Sequence, residues 1–582
     1  MATAISTPSS SGPSAAPATA TGARLLCEAL VREGVDTIFG YPGGAVLPIY
    51  DELTKMEREL RHILVRHEQG AVHMAEGYAR STGKCGVALV TSGPGATNAI
   101  TGIANAMMDS TPLVVISGQV PRALLGSDAF QETDMIGLTR SCTKESFAVM
   151  SAADIAVTVR EAFHIATTGR PGPVVIDLPK DVCQEQGPWV FPRTVHLPGY
   201  RPPVFRDQEG LRKAAELLVN AQRPVVYLGG GVVHSGAAAE LAAVIERLHL
   251  PATPTLMGLG AVPAGHPLCL GMLGMHGAYA ANKAVSESDL LFAVGARFDD
   301  RVTGKLSAFA PHATIVHIDI DSSSFHKNVR ADLTLLGDVR TVLAELLPLL
   351  PTPSKAEPVE CRLAPWWDQI RAWQAFAPFR YEDHSEEIKP QRLCQEFNRL
   401  TKGEAIVATD VGQHQMWLAQ YYQFRDGRQS ITSGGLGTMG FGMPAALGAQ
   451  IAFPDRQVVA FVGDGGFQMT CQELTTAVAY QTNLKIIIMN NRSLGMVRQW
   501  QKLFYDKRFI AVDLTQAPDF VKLAEAYGAT GLRATHASEL VPVLEKGLAT
   551  PGVVVMEIVV TTDESVFPMI PAGGAAADMV LG

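Results

Sequence analysis

The residues whose types and spacing best suit chemistry lie between Val462 and Asn491. A β-branched apolar run ends in the sequence GDGG at residues 463–466, and a second apolar run ends at Asn490 and Asn491. In a right-handed β-α-β unit, Asp464 and Asn491 would lie beside each other at the carboxyl ends of two parallel strands. One carboxylate, one amide oxygen and a helix N-terminus together suit Mg²⁺ carrying a diphosphate. GDG alone is a common turn, but the paired asparagines at this spacing favour a cofactor site.

The glycines of this segment also predict its local structure. Because glycine frees the backbone to turn sharply, we expect a turn at residues 463–466 and a helix from Met469 to Gln481. The run from Leu484 to Met489 would then form the second strand of the unit.

A second candidate acid is Glu68, which stands where a strand gives way to a helix in HILVRHEQGAVHMAEGYAR. A carboxylate at a strand's carboxyl end, beside a helix N-terminus, is positioned for chemistry. Taken alone, Glu68 is better explained as a cap on a helix that starts near Gly70. The diphosphate site changes this interpretation, because a thiamine-type cofactor needs one carboxylate far from its phosphates, hydrogen-bonded to the aminopyrimidine ring.

Two glycine-rich segments could indicate nucleotide binding. Residues 435–440 satisfy GxGxxG, but no convincing long strand precedes them and no βαβ unit with an acidic strand end follows, so we reject a dinucleotide site there. These glycines would instead let the backbone approach a flat ring, with Met439 either an apolar wedge under a bent cofactor or ordinary core filling.

The better dinucleotide candidate is the glycine triplet at residues 229–231, which follows the apolar run VVYL. A later strand ends in Asp319 and Asp321, which could bind ribose hydroxyls. The segment GARFDDR supplies Arg297 and Arg301, which could pair with a diphosphate. We therefore predict a second, nucleotide-type cofactor in the middle of the chain.

Composition indicates a globular protein with large cores, since 47% of the 582 residues are apolar and 18% are charged. A formal net charge of −9 argues against nucleic acid as the main partner. No apolar run reaches the ~18 residues that span a bilayer. The eight cysteines lack disulfide-like or ligand-like spacing, which indicates a reducing compartment.

Residues 1–22 are uncharged and rich in Ala, Ser, Thr and Pro, so we predict a disordered leader. They lack the basic and apolar regions of a secretory signal. We expect a cytoplasmic protein. The alternative is a plastid or mitochondrial location if residues 1–22 belong to a transit peptide, which their lack of arginine disfavours.

Apolar runs alternate with helical stretches along most of the chain, which predicts an α/β protein with three doubly wound parallel-sheet domains. We expect these domains at 23–192, 204–350 and 386–565, and the first and third look alike in pattern and size. Residues 351–385 are predicted to be a linker that includes a helical segment around Trp366. Residues 566–582 are predicted to be a flexible C-terminal tail until a ligand orders it.

Taken together, these motifs resemble one family: the catalytic subunits of acetohydroxyacid synthase (acetolactate synthase), among thiamine diphosphate-dependent enzymes. The resemblance covers nearly the whole chain after the leader. It rests on several motifs in order, including FGYPGGA (39–45), RHEQGAVHMAEGYAR (66–80), GARFDDRVTGK (295–305), GLGTMGFGMPAA (435–446), NNRSLGMVRQW (490–500) and PMIPAGG (568–574). The resemblance implies that the three domains bind the pyrimidine, FAD and the diphosphate with Mg²⁺, respectively.

The resemblance also implies roles for individual residues. Glu68 would activate the aminopyrimidine, while Gly44 and Gln119 would face the reacting centre. Thiamine diphosphate would be bound by Gln413, His414, Gly437, Met439, Gly463, Asp464, Gly465, Gly466 and Asn491. Mg²⁺ would be bound by Asp464, Asn491 and the backbone carbonyl of Ser493. The substrate channel would be lined by Phe130, Lys180, Arg301, Met496 and Trp500.

FAD would have a non-redox, structural role in the middle domain. Its expected binding residues are Arg170, Gly229, Gly230, Gly231, Thr255, Leu256, Met257, Leu273, Gly274, Met275, His276, Gly295, Arg297, Asp299, Arg301, Asp319, Ile320, Asp338 and Val339.

The implied reaction is decarboxylation of pyruvate followed by carboligation to a second 2-oxo acid. Pyruvate as acceptor gives 2-acetolactate and 2-oxobutyrate gives 2-aceto-2-hydroxybutyrate, at the entry to valine, leucine and isoleucine biosynthesis. Because the cofactor spans two subunits in this family, we expect a homodimer or homotetramer, with a separate regulatory subunit. Neither nucleic acid nor a membrane is an expected partner.

Four alternatives compete with this interpretation. Glyoxylate carboligase-like relatives lack the activating acid, whereas Glu68 is present here. Pyruvate oxidase-like and simple decarboxylase relatives would not be expected to carry NNRSLGMVRQW with the PMIPAGG tail. A FAD-free catabolic acetolactate synthase is the closest rival, and GARFDDR and the tail argue against it. A non-catalytic regulatory or scaffolding homologue is disfavoured by the intact Glu68, Asp464 and Asn491.

Overall fold

The chain folds around three parallel β-sheets, in a computed structural model that describes residues 18–352, 359–383 and 386–582. Most of the predicted leader, residues 1–17, lies outside the described residues. Within those residues, no helix combines the length and the apolar character needed to cross a membrane.

The first sheet has six parallel strands in the order β3-β2-β4-β5-β7-β6, with helices on both faces. Its strands are short, largely buried runs, as expected for a parallel sheet covered on both sides. The elements are β1 (Thr19–Thr21), α1 (Gly22–Arg32), β2 (Thr37–Gly40), α2 (Leu47–Leu53), β3 (Arg61–Leu64), α3 (Glu68–Thr82), β4 (Gly86–Val90), α4 (Pro94–Asn98), α5 (Ile100–Asp109), β5 (Leu113–Gln119), α6 (Met135–Thr139), β6 (Glu145–Ala148), α7 (Ile155–Thr167), β7 (Pro173–Pro179), α8 (Lys180–Gln184) and β8 (Gln186–Pro188).

The second sheet has five parallel strands in the order β10-β9-β11-β12-β13. Its elements are α9 (Gln208–Asn220), β9 (Pro224–Leu228), α10 (Gly230–Ser235), α11 (Ala238–Leu248), β10 (Ala252–Pro254), α12 (Tyr279–Glu287), β11 (Leu290–Val294), α13 (Asp300–Thr303), β12 (Thr314–Asp319), β13 (Leu333–Leu336), α14 (Val339–Leu346) and α15 (Val359–Phe376).

The third sheet has six parallel strands in the order β15-β14-β16-β17-β19-β18, the same order relative to the chain as in the first sheet. The likeness seen in the sequence pattern is therefore a likeness of topology. Its elements are α16 (Pro390–Thr401), β14 (Ile406–Thr409), α17 (Gln413–Tyr421), β15 (Ser430–Ile431), α18 (Gly442–Ala452), β16 (Val458–Gly463), α19 (Asp464–Thr470), α20 (Leu474–Ala479), β17 (Lys485–Asn490), α21 (Gly495–Phe504), α22 (Phe520–Ala526), β18 (Thr530–Ala534), α23 (Ala537–Ala549) and β19 (Val554–Val559).

The first and third sheets share one apolar core through the contact between α3 and α18. Two glycines allow this contact. A β-carbon on Gly77 would strike the carbonyl of Ala445, and one on Gly448 would strike the carbonyl of Met74. The helix that begins at Glu68 is therefore packed against the helix that leads into β16.

The end of the predicted leader differs from its prediction. Residues 19–21 form β1, which pairs antiparallel with β8, and Thr21 caps α1 by accepting a hydrogen bond from the Arg24 N–H at 3.3 Å. An uncharged Ala-Thr sequence forms a strand here because a partner strand from the far end of the domain lies beside it.

The predicted linker also differs, because α15 packs as part of the middle domain's core. Trp366 and Trp367 are buried in that core. Their indole N–H groups donate to the carbonyls of Pro224 at 3.1 Å and His249 at 3.0 Å. Buried indoles need such partners, so α15 is tied to the second sheet rather than spanning freely between domains.

The C-terminal segment, predicted to be flexible, is hydrogen-bonded to the middle domain. The Ile570 N–H donates to the carbonyl of Met275 at 2.8 Å, and the Lys305 N–H donates to the carbonyl of Gly574 at 2.9 Å. Met569 is fully buried. The prediction of mobility was based on Gly/Ala content, which does not reveal these tertiary partners.

Candidate active site

Asp464 and Asn491 leave adjacent strands at the same edge of the third sheet. Gly463 ends β16 and is in register with Met489 of β17, which ends one residue later at Asn490. Asp464 and Asn491 are the residues that directly follow these two strands. Asp464 is buried, and its Oδ2 has no hydrogen-bond partner among the described residues. Burial raises the pKa of the Asp464 carboxyl to about 7.

The helix after β16 starts earlier than predicted. Asp464 is itself the first residue of α19, whereas the sequence predicted a turn here and a helix from Met469. The glycines serve close packing rather than a left-handed turn. A β-carbon on Gly466 would strike the Asp410 carboxylate, and one on Gly465 would lie 2.8 Å from Leu494 Cδ2.

Asn491 is oriented by its neighbours. Its Nδ2 donates to Gln413 Oε1 at 3.2 Å, and its Oδ1 accepts the N–H of Ser493 at 3.1 Å. Gln413 in turn donates to Gln499 Oε1 at 2.8 Å. The amide oxygen of Asn491 keeps a second lone pair for a ligand.

His414 provides a second unsatisfied group beside this site. Its Nε2 is buried without a hydrogen-bond partner within the described ranges, and its ring lies 3.0 Å from where a β-carbon on Gly463 would stand. Burial lowers the pKa of His414 to about 4, so the imidazole is neutral near pH 7.

This donor set fits Mg²⁺ carrying a diphosphate. The carboxylate oxygen of Asp464 and the amide oxygen of Asn491 are hard ligands of the kind that Mg²⁺ prefers. No cluster of three or more His, Cys, Asp or Glu side chains suited to a metal occurs in the part of the chain that the structure describes. An ion here would therefore take its other ligands from the diphosphate, from water and from backbone oxygens such as that of Ser493.

Met439 lies next to the start of α19. Its Cε stands 3.4 Å from the position of a β-carbon on Gly465. The segment after it is fixed by Asp410, whose carboxylate accepts the N–H groups of Gly440 at 2.9 Å and Gly442 at 3.0 Å. Sequence reasoning missed Asp410, although an aspartate that ends the strand-like run EAIVATD is a detectable signal.

A cavity of about 1050 Å³ is lined by residues of all three domains. This volume is at the upper end of the range for small-molecule sites. Apart from Gly274, every residue predicted for FAD lines the cavity, namely Arg170, Gly229, Gly230, Gly231, Thr255, Leu256, Met257, Leu273, Met275, His276, Gly295, Arg297, Asp299, Arg301, Asp319, Ile320, Asp338 and Val339.

Gly274 does not line the cavity, and its backbone N–H donates to Asn282 Oδ1 at 2.9 Å. Tyr227 does line it, and the Tyr227 hydroxyl is buried without a partner in the described ranges. The turn at 229–231 approaches the opposite loop closely, since a β-carbon on Gly231 would lie 2.7 Å from Gly295 Cα. A large cavity lined by arginines, an unsatisfied hydroxyl and glycines at a strand-to-helix junction fits a dinucleotide.

The same cavity includes part of the predicted substrate channel. Arg301, Met496 and Trp500 line it, as does Gly437 from the thiamine set. Sequence reasoning missed Asp109 and His234, which also line it. No strand end or motif distinguished them in the sequence.

Arg170 is the predicted residue of the first domain that lines this cavity, whereas the residues predicted there for the reacting centre and the substrate channel lie elsewhere. Glu68 is buried at the start of α3, where Asn98 Nδ2 donates to its Oε2 at 3.0 Å. Phe130 is 89% exposed, and a β-carbon on Gly44 would meet no atom within 4 Å. Lys180 begins α8 and is partly exposed.

Gln119 is hydrogen-bonded within the first domain. Its Nε2 donates to the carbonyl of Thr133 at 2.7 Å and to Asp177 Oδ2 at 3.1 Å, while its Oε1 accepts the N–H of Val120. These bonds fix the orientation of the amide, and its role at the reacting centre stays a prediction.

Comparison with known families assigns the class of protein. Residues 20–138 match the N-terminal TPP binding domain of thiamine pyrophosphate enzymes, residues 211–346 the central domain, and residues 410–558 the C-terminal TPP binding domain. The three sheets and the Asp464 site therefore belong to a thiamine pyrophosphate enzyme.

Curated relatives narrow this class. The chain is 49% identical to acetolactate synthase isozyme 3 large subunit from Escherichia coli over 96% of this chain and 98% of the relative. It is 48% identical to the acetolactate synthase large subunits of Buchnera aphidicola subsp. Schizaphis graminum and Haemophilus influenzae, at the same coverage. The chain belongs to the family of acetolactate synthase large subunits.

Proposed function

We propose that this chain catalyses the thiamine diphosphate-dependent decarboxylation of pyruvate and its carboligation to a second 2-oxo acid. The observation that carries the proposal is the buried, unpartnered Oδ2 of Asp464 beside Asn491, in a chain that resembles acetolactate synthase large subunits along nearly its whole length. The products would be 2-acetolactate or 2-aceto-2-hydroxybutyrate.

Bound thiamine diphosphate supplies a carbon nucleophile and an electron sink. Asp464 and Asn491 would bind its Mg²⁺, with the carbonyl of Ser493 as a third protein ligand. Glu68 would hold a proton at a ring nitrogen of the pyrimidine through Oε1, since its Oε2 is already engaged by Asn98. Met439 would support the cofactor from below. The buried, unpartnered Nε2 of His414 would face a phosphate oxygen and would donate a hydrogen bond to it in the tautomer that carries the proton on Nε2.

The large cavity would hold FAD in a structural role. Support comes from its volume, the glycine triplet at residues 229–231 and two of the arginines on its wall, Arg170 and Arg297. Arg301, Met496 and Trp500 line the same cavity and would form the mouth of the substrate channel. Phe130 and Lys180 would complete it from a second copy of the chain.

The minimal active unit would be a dimer. In one chain, Glu68 and Phe130 are separated from the cavity that contains Met496 and Trp500. An apolar surface next to that cavity includes Phe504 and Ile510, which are 44% and 75% exposed. A second copy would cover such surfaces and bring its Glu68 to the Asp464 site.

We extend the proposal to the assembly and the cell. A homodimer or homotetramer would associate with a regulatory subunit, as the name "large subunit" of the relatives suggests. The protein would act in the cytoplasm. The relatives reported above are bacterial, so they lend no support to a plastid or mitochondrial transit peptide.

The activity is tested by supplying the purified protein with pyruvate, thiamine diphosphate and Mg²⁺, with and without FAD. Acetolactate as the main product, dependent on FAD, is the expected result. Acetaldehyde or acetyl phosphate as the main product would overturn the proposal, and full activity in protein stripped of FAD would favour the catabolic, FAD-free alternative.

The shared site is tested by co-expressing Glu68→Gln and Asp464→Asn chains. Each variant alone has no intact site, whereas a mixed dimer has one intact site of two. Random pairing should therefore restore about one quarter of the wild-type activity. Activity no higher than that of the separate variants would show that Glu68 and Asp464 act within one chain.

A further inference from the structure

One loop, residues 432–440, stands between the large cavity and the diphosphate site, and we name it the dividing loop. All five residues of the segment 433–437 line the cavity. At the far end of the loop, Met439 lies beside Gly465 in the first turn of α19, at the proposed diphosphate site. Both proposed cofactors would therefore touch the same loop from opposite sides.

Two residues of α5, Asn105 and Asp109, hold the dividing loop. They are four positions apart and so lie on the same face of the helix. The Asp109 carboxylate accepts the N–H groups of Gly434 at 2.9 Å and Gly435 at 2.7 Å. Asp109 is buried.

Asn105 binds the next part of the loop. Its Oδ1 accepts hydrogen bonds from the hydroxyls of Ser433 at 2.5 Å and Thr438 at 3.0 Å. Its Nδ2 donates to Glu76 Oε2 at 2.8 Å, and Glu76 pairs with His73 at 2.9 Å. Because Asn105 is fully buried, each of these bonds would be costly to leave unmade.

The support extends to the helix that carries Glu68. Arg80, near the end of α3, donates to the carbonyl of Thr432 at 2.5 Å and approaches Asp109 Oδ2 at 3.5 Å. Asn105 and Asp109 of α5 are therefore each hydrogen-bonded to a residue of α3, Asn105 to Glu76 and Asp109 to Arg80.

The cavity side of the dividing loop explains why residue 435 is glycine. A β-carbon on Gly435 would lie 2.9 Å from Met108 Cβ, 3.1 Å from Asp109 Oδ1 and 3.2 Å from an Nη atom of Arg297. Arg297 is a residue through which the proposed flavin would be bound. A ligand that orders Arg297 would therefore press directly on the segment that Asp109 holds.

We propose that Asn105 and Asp109 are positioning residues that couple the two cofactor sites through the dividing loop. Their hydrogen bonds hold the loop as one unit between the two sites, so a cofactor that fixes the loop's position at one site also fixes it at the other. By linkage, flavin and thiamine diphosphate each raise the other's affinity by the same factor. The proposal rests on the proposed function, because it takes both cofactors as ligands.

The test is the dissociation constant of FAD for the full-length protein, measured by calorimetry with and without thiamine diphosphate and Mg²⁺. The ratio of the two constants is the coupling factor. Wild type is compared with Asp109→Asn and Asn105→Ala. The matched control is Asp519→Asn, because Asp519 also accepts two backbone N–H groups and a hydrogen bond from an arginine but does not line the large cavity.

We expect a coupling factor of about five or more in wild type and in Asp519→Asn, within the usual range for linked sites. It should fall close to one in Asp109→Asn and Asn105→Ala. A merely structural loss would weaken FAD binding equally in both conditions and leave the ratio unchanged, which would overturn the proposal.

Two further outcomes separate the coupling from the proposed function. Flavin that binds wild type with a ratio of one would overturn the coupling alone, whereas no flavin binding would overturn the flavin site and the coupling with it. Amide hydrogen exchange of residues 432–440 in wild type makes the result independent of variant folding. Either cofactor alone should slow it, and unchanged exchange would count against the proposal.

Discussion

The carboxylate of Glu473 accepts a hydrogen bond from the backbone N–H of Arg66 at 2.9 Å. Arg66 follows β3 and lies two residues before Glu68, whereas Glu473 ends the short turn that follows α19. This bond therefore joins the chain segments that carry the two carboxylates most important to the proposed chemistry. Thr476 Oγ1 also donates to Glu473, at 2.8 Å.

Replacing Glu473 with glutamine should change how stability depends on pH. Burial raises the pKa of Glu473 from its ordinary value of 4.5 to about 7. The folded state therefore holds this proton more tightly than the unfolded state, and the associated stability is present below pH 4.5 and lost as the pH rises through 7. Glutamine keeps an acceptor for Arg66 and does not titrate.

We expect the Tm of wild type to fall more steeply than that of Glu473→Gln between pH 5 and pH 8. Over this range the free energy of unfolding of wild type should fall by roughly 1–3 kcal/mol more than that of the variant. Scanning calorimetry of both proteins over this range measures it. Parallel curves would mean that Glu473 does not titrate there.

Asp464→Asn should separate binding from stability. The unpartnered, buried Oδ2 is unfavourable without a ligand, so the amide should leave the cofactor-free protein as stable as wild type or more stable. Affinity for thiamine diphosphate with Mg²⁺ should fall at least about tenfold, because the only carboxylate ligand loses its charge. Calorimetric titration and Tm measurements decide both points, and a large loss of Tm would contradict the assigned role.

Glu68→Gln should slow proton exchange at the reactive carbon of the bound cofactor by about 10²–10⁴-fold, the usual weight of acid–base catalysis. Affinity for Mg²⁺ and cofactor should change little, since Glu68 would contact the pyrimidine and neither the Mg²⁺ nor the diphosphate. Glutamine can still accept the bond from Asn98. Exchange measured by quenching in deuterated buffer is the readout, and an unchanged rate would remove Glu68 from its role.

Trp366→Ala should destabilise the middle domain by about 3–5 kcal/mol, because a buried indole is replaced by a cavity. Trp366→Phe is the control. It keeps most of the volume and loses the bond to the Pro224 carbonyl, at a cost of about 1 kcal/mol. Limited proteolysis and calorimetry measure the loss of stability. Equal Tm values for Trp366→Ala and wild type would mean that α15 does not stabilise the middle domain and is a linker, as the sequence predicted.

Much of the fold could be predicted from local pattern. Runs such as VVAFV and IIIM are apolar and rich in β-branched residues. They form β16 and β17, because a parallel sheet covered on both faces buries such runs fully. Position 68 was predicted at a strand-to-helix junction, and Glu68 begins α3. The start of α19 was missed, because the glycines at 465 and 466 serve packing against Leu494 and Asp410 rather than a turn.

The sequence by itself determined the parallel-sheet class, the strand-end positions of Asp464 and Asn491, and the family resemblance, because these depend on residue order and short-range periodicity. Only the tertiary structure decided the rest. It showed that α15 and the C-terminal segment pack on the middle domain, that Gln119 faces Asp177, and that α5 holds the loop between two sites. These features depend on contacts between residues far apart in the chain, and no local pattern encodes which distant partner a polar group will find.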